Sequence, residues 1–286
     1  MALALVPLVA LYAVALLIGV AIFVLALADR DWGALLGWLV FAAGLAGFAF
    51  LHWTRAEEMI LRAARAKPIP AGEQAELRAV VERAAAAADL PAPRIALVRS
   101  WAPNALAAGL KPERATIAVT TELLRRLDER ELEAVVAHEL AHVANQDGLV
   151  MTFVSGPAML GAAIWSSDDG RAQVFYVLLY WPVHVLGLLL MWTISRYREY
   201  TADRGSALIT GAPEQLMSAL TKIAEKEPRG DLRGGAAVSA LCIVPAQRNG
   251  KLDFLRRFEV FVDHPPLEKR LARLASIASE MGRPSF

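Results

Sequence analysis

Ala137-His-Glu-Leu-Ala-His-Val143 is the stretch on which the reading of this chain turns. It sets His138 and His142 four residues apart inside a run, residues 121–144, whose apolar positions Leu124, Leu132, Val135 and Val136 suit one face of a helix. Residues four apart on a helix are offset by about 40° around the axis and about 6 Å along it, so both imidazoles can reach one ion. Glu139 is one position further on, close enough to meet a water at that ion without ligating it. Zinc acidifies such a water, and a carboxylate can take its proton during attack on an amide carbonyl. The pattern therefore predicts one zinc ion per chain, with Glu139 as general base. The bland alternative is two satisfied histidines on an ordinary helix.

A catalytic zinc usually has three protein ligands and one open position. A histidine six residues after His142 is excluded, because position 148 is Gly148, and no glutamate follows about twenty residues downstream. The first glutamate after His142 is Glu199, in Ser195-Arg-Tyr-Arg-Glu-Tyr-Thr-Ala-Asp203. Glu199 and Asp203 are four apart and share a helix face. One can bind metal while the other accepts a hydrogen bond from a ligating imidazole. The competing reading of Glu199 is a solvated carboxylate paired with Arg196 or Arg198. His184 lies about 22 Å from Glu199 along one helix and reads as a packed histidine, while His52 reads as an interfacial residue.

Of the 286 residues, 56% are hydrophobic and 21% charged, so the apolar excess must be concentrated in part of the chain. Residues 2–28 carry no charge, and after Asp29, Arg30 and Asp31 a second uncharged run covers 34–53. Each is long enough to cross a bilayer, and together they predict a transmembrane hairpin. A secretory signal, suggested by Ala26-Leu27-Ala28, is opposed by the missing basic n-region and by the second apolar run. Residues 149–165 and 172–195 form another uncharged pair, with Trp165, Tyr176, Trp192 and Tyr197 near its ends as at membrane interfaces. Arg55, Arg62, Arg65 and Lys67 follow the first pair, and Arg196, Arg198 and Arg204 the second. The positive-inside rule thus places the N-terminus and all the hydrophilic mass on the cytoplasmic side. Two crossings separate His142 from Glu199, so both reach the same face. The expected organisation is a hairpin in 1–66, a first catalytic part in 67–148, a second hairpin in 149–195 and a second catalytic part in 196–286. A net charge of +1 gives no case for nucleic acid. The lone cysteine, Cys242, reads as a small buried residue.

In the hydrophilic parts, residues 73–88 read as an alanine-rich helix and 94–99 as a strand. Residues 105–108 and 115–120 read as two strands able to pair as a hairpin across Gly109-Leu-Lys-Pro112. Residues 121–144 are expected as one helix, with further helices over 213–226 and 266–278.

These residues resemble the HtpX-type membrane metalloproteases, relatives of the prenyl-protein endopeptidases. The resemblance rests on Pro103-Asn-Ala-Leu-Ala-Ala-Gly109, Ala118-Val-Thr-Thr-Glu-Leu-Leu124 and His138-Glu-Leu-Ala-His-Val-Ala-Asn-Gln-Asp147. It continues in Ser195 to Asp203 and in His264-Pro-Pro-Leu-Glu-Lys-Arg-Leu271. It implies a mainly α integral membrane protein with four spans and a cytoplasmic, zincin-like, gluzincin-type α+β catalytic domain bearing a small sheet. The implied activity is zinc-dependent cleavage of misfolded or damaged membrane proteins in the cytoplasmic membrane of a prokaryote. The implied zinc ligands are His138, His142 and Glu199, with Glu139 as base and acid and Asp203 as the carboxylate behind an imidazole. Asn104 and His264 would flank the substrate carbonyl and stabilise the oxyanion. Leu106 stands where an aromatic is common in the family. An exposed edge of the predicted hairpin would let an unfolded peptide add as a strand. The rivals are an intramembrane or prenyl-protein processing protease, and a non-catalytic scaffold tied by zinc. The number of copies in the assembly is left open.

Overall fold

Asp128-Glu-Arg-Glu131 breaks what the apolar pattern alone joins into one helix. In the computed structural model the run 121–144 is two helices, α3 (Thr121–Arg126) and α4 (Glu129–Ala144). Asp128 caps α4 by accepting the Glu131 amide at 3.0 Å, and Glu131 accepts the Asp128 amide at 3.0 Å, a reciprocal capping box. Glu131 is itself buried and is held from α6 (Pro213–Ala224) by Lys222 Nζ at 2.5 Å and by the Ser218 hydroxyl at 2.6 Å. The single helix expected here is thus corrected: the cap starts a new axis, and that axis aims His138 and His142.

The described residues are 20, 23–25, 27–148, 150–151, 181–225 and 265–283. The chain divides into two units, Met1–Ala56 and Glu57–Phe286. In the first, Arg30 takes a left-handed φ of 51° at the turn into α1 (Trp32–Ala63), and Phe23 stacks 5.1 Å from Trp38 across that turn. Large apolar side chains here are exposed, among them Leu25, Trp32, Leu36, Val40 and Phe50. Among the described residues no helix is long and apolar enough to cross a membrane. The expected spans over 2–28 and 149–165 fall mostly or wholly outside the described residues, as do Cys242 and His264 and the side chains of His52 and His184.

The second unit holds a four-stranded sheet in the order β1-β2-β4-β3, with β1 Lys67–Pro68, β2 Arg94–Val98, β3 Ala105–Ala108 and β4 Thr116–Thr120. The β3–β4 pair is the antiparallel hairpin expected, with Leu106 opposite Ala118. β2 lies parallel to β4, with Ile95 opposite Ile117, a pairing that local sequence does not announce. Alternation along the strands gives the sheet two buried faces. Ile95, Ala105, Ile117 and Val119 meet α2 (Ala75–Ala87), α4, α6 and Leu274 of α7 (Leu267–Glu280) in the main core. Ala96, Val98, Leu106, Ala108 and Ala118 instead meet Ala64, Ile60 and Leu61 at the end of α1. Glu57 ties that end down through Thr116 and Arg94, each at 2.5 Å.

α5 (Trp181–Thr210) crosses α4 closely. A Cβ on Gly205 would stand 2.5 Å from Cβ of Ala141, and the Ser206 hydroxyl donates to the Ala134 carbonyl at 2.7 Å. Glu199, Asp203 and Ser206 occupy the same stripe of α5, at helical spacing, and so face α4. Gly205→Ala must push the helices apart, with an expected stability loss of about 1–3 kcal/mol. Adding Ala141→Gly reopens the crossing and should recover part of that loss, against a helix-propensity cost of about 1 kcal/mol. Thermal unfolding of the two purified variants against the parent checks the order.

Candidate metal centre

α4 turns His138 and His142 toward α5, α5 turns Glu199 and Asp203 back, and Glu139 meets the Ala107 amide of β3. His138 Nε2 and His142 Nε2 stand 3.2 Å apart, with Glu199 Oε2 at 3.7 Å from the first and Glu199 Oε1 at 3.5 Å from the second. One ligand atom from each of these three residues lies within 4.8 Å of the others, and the imidazole planes meet at 89°. Three electron-pair donors aimed at a common point form a donor set for a cation. The alternative for Glu199, a solvated carboxylate paired with Arg196 or Arg198, does not hold. Glu199 is buried, and the guanidinium at its carboxylate is that of Arg270 on α7, 3.2 Å away.

The far nitrogen of each imidazole meets a carboxylate. His138 Nδ1 lies 3.1 Å from Asp203 Oδ1, and His142 Nδ1 lies 2.6 Å from Asp147 Oδ2. Such partners keep Nδ1 protonated and leave the Nε2 lone pair free for an ion. Each carboxylate is backed in turn by an arginine. Arg270 grips Asp203 with Nε at 2.9 Å and Nη2 at 2.6 Å, and Arg198 Nε stands 3.1 Å from Asp147. Asp203 thus stands within reach of the His138 imidazole. Asp147, Arg198 and Arg270 are additions. Their motifs were in view, but a charged side chain in a helical stretch reads by default as solvated.

Electrostatics test whether a cation fits. Glu139, Asp147, Glu199 and Asp203 are buried together with Arg198 and Arg270. Four carboxyl groups against two guanidinium groups make an acidic interior that favours positive charge. Burial alone would make His138 less basic, but its bonds to Asp203 and Glu199 outweigh this and hold it up at about 9. Burial lowers His142, despite the bond to Asp147. The cluster thus stabilises positive charge between the two rings. Burial also pushes Glu139 up to about 7, further raised by Glu199 and restrained by His138 and by the Ala107 amide that its carboxylate accepts. Asp203 is held low, because Arg270 and His138 outweigh the effect of burial.

Asn104 sits buried at the head of β3, where its Oδ1 accepts the Ala105 amide at 2.9 Å and its own amide donates to Thr120 Oγ1 at 2.9 Å. Its side chain is folded onto its own strand. Among the described residues β3 is an edge strand of the sheet, three of its four side chains buried, with Ala107 joined to Glu139.

Comparison with known proteins extends this picture. The model of peptidase family M48 matches residues 71–278. A protease HtpX homolog of Moorella thermoacetica is 40% identical over 262 residues, covering 86% of this chain and 85% of its own. Protease HtpX homolog 2 of Methanosarcina acetivorans is 36% identical over 286 residues, covering 95% of each. Protease HtpX homolog 1 of Streptomyces coelicolor is 39% identical over 251 residues, with 82% and 81% covered. Among solved structures, the crystal structure of S. mikatae Ste24p aligns with a TM-score of 0.53 at 19% identity, over 93% of this chain and 62% of that one, a likeness of fold.

Arg270 neutralises two buried carboxylates at once, so Arg270→Met strands both. The expected loss of stability is about 3–5 kcal/mol, the cost of breaking a buried pair from one side. Thermal unfolding checks it, and a shift no larger than a surface substitution gives would contradict the network.

Proposed function

The chain belongs to peptidase family M48, and from that premise we propose that it is a zinc-dependent endopeptidase of a prokaryotic cytoplasmic membrane that degrades misfolded or damaged membrane proteins. The metallopeptidase class follows from the family. The observation that carries the mechanism is the convergence of His138, His142 and Glu199 with Glu139 buried beside them. Two imidazoles and one carboxylate form a zinc-type donor set that leaves one position open. Zinc held there supplies Lewis acidity, polarising a carbonyl and acidifying water.

Glu139 takes the proton of the attacking water and returns it to the leaving amine. A carboxyl group near pH 7 suits both directions of that transfer. Asp203 and Asp147 hold the ligating imidazoles in one tautomer. The peptide adds along β3. The Thr120 amide donates to the Asn104 carbonyl at 2.9 Å, so by alternation along an antiparallel pair Ala105 and Ala107 turn their amides away from β4, where Asn104 Oδ1 accepts the first and Glu139 the second until a substrate strand takes their place. The Ala107 amide meets Glu139, so an extended substrate paired to this edge passes the proton acceptor. Backbone pairing of that kind reads little side-chain sequence, which suits unfolded clients. Asn104 and His264 are proposed to contact the substrate carbonyl and the developing oxyanion.

The membrane placement rests on the four uncharged runs and on the basic residues that follow each pair. The exposed apolar side chains of the first unit support it, since a water-facing surface of that kind is unusual. On this reading the spans are residues 2–28, 34–53, 149–165 and 172–195, and the catalytic parts 67–148 and 196–286 face the cytoplasm with the N-terminus.

Glu139→Gln separates the peptidase from a zinc-tied scaffold. In purified chain it should keep about one zinc while casein degradation falls by about 10²–10⁴-fold. A chelator should abolish the parent's activity, and zinc should restore it. Undiminished proteolysis by the Gln variant would contradict the role given to Glu139.

A further inference from the structure

We infer that Arg198 is a positioning residue of the metal site, acting on His142 through Asp147. The inference rests on the metal-binding reading of the His138–His142–Glu199 cluster. Asp147 Oδ2 lies 2.6 Å from His142 Nδ1, and the same oxygen lies 3.1 Å from Arg198 Nε. Asp147 and Arg198 are both buried. The contact is therefore a relay in series, arginine to carboxylate to imidazole, and it parallels the relay from Arg270 through Asp203 to His138.

Asp147 needs such a clamp. It lies beyond Asn145, the C-cap of α4, and follows Gln146, whose φ of 52° is left-handed. Helix α4 does not extend to it: Asp147 opens a new helical turn, with Val150 N on the Gln146 carbonyl at 3.3 Å, so the α4 axis that aims His142 does not by itself aim Asp147. Arg198 reaches it from α5, one residue before Glu199, so the helix that delivers the third ligand also sets the second imidazole. A buried ion pair adds little net stability, and among the described residues neither Nε nor Nη1 of Arg198 has a hydrogen-bond partner, so the contact with Asp147 is one of charge. An Asp147 carboxylate fixed in this direction holds the proton on His142 Nδ1 and leaves Nε2 as a ligand.

The test uses the full chain purified in detergent, with Arg198→Met, Arg198→Lys, Asp147→Asn and the double variant Asp147→Asn/Arg198→Met. Two quantities are read: the zinc dissociation constant by chelator competition, and the visible absorption spectrum of the cobalt-loaded protein. Loss of the carboxylate contact should weaken zinc by about 10–100-fold, and Arg198→Met by about tenfold. Because the two residues act in series, the double variant should bind about as well as Asp147→Asn alone. Arg198→Lys, which keeps a cation beside Asp147, should recover part of the loss, and the cobalt bands of Arg198→Met should move in the same sense as those of Asp147→Asn. Parent-like zinc affinity and cobalt bands in Arg198→Met would overturn the inference, as would losses that multiply in the double variant. Unfolding of both Arg198 variants while Asp147→Asn stays folded would assign the arginine to packing and overturn it too. A parent chain that takes up no zinc would instead overturn the metal reading beneath it.

Discussion

The meeting of α4 and α5 is the constraint from which the rest of the structure follows. Two imidazoles from one helix and a carboxylate from the other converge in a buried space, and each charge there needs a counterpart. Arg270 serves Glu199 and Asp203 together, and Arg198 serves Asp147. With these pairs made, carboxyl groups still outnumber guanidinium groups, and a cation suits that excess as it suits the donor set.

Geometry makes that meeting possible through small residues. Gly205 against Ala141, and Ser206 against the Ala134 carbonyl, let the two backbones approach at the level of the histidines. A larger residue on either helix would lift Glu199 and Asp203 away from the rings. The capping box at Asp128 sets where α4 begins, and Glu131 anchors that start to α6. The sheet then places its edge strand β3 beside the same helix, where the Ala107 amide meets Glu139. The proposed proton acceptor, metal ligands and peptide-binding edge are in this way referred to one helix axis.

Much of this was legible in residues that act locally. The histidine spacing named the helix and its face. The bounds of β3 were readable because Asn104 and Gly109 punctuate a short apolar run, and Glu199 was reachable by eliminating other carboxylates. The break between α3 and α4 was equally visible in Asp128-Glu-Arg-Glu131, but apolar periodicity on both sides masked it. What stayed hidden depends on long-range pairing. The parallel register of β2 on β4 brings together residues with no local mark of their partnership. Arg198 and Arg270 belong to a residue type that is usually solvated, and only the folded chain brings buried carboxylates to them. Asp147 likewise shows its place behind His142 only once the chain is folded.

Zinc K-edge X-ray absorption of the zinc-loaded protein, compared with a Glu199→Ala variant, tests the central claim most directly. The account predicts two imidazole nitrogens at about 2.0–2.1 Å with a protein carboxylate oxygen in the parent, and loss of that oxygen contribution in the variant. Identical spectra from the two proteins, or a sulfur ligand in either, would contradict it.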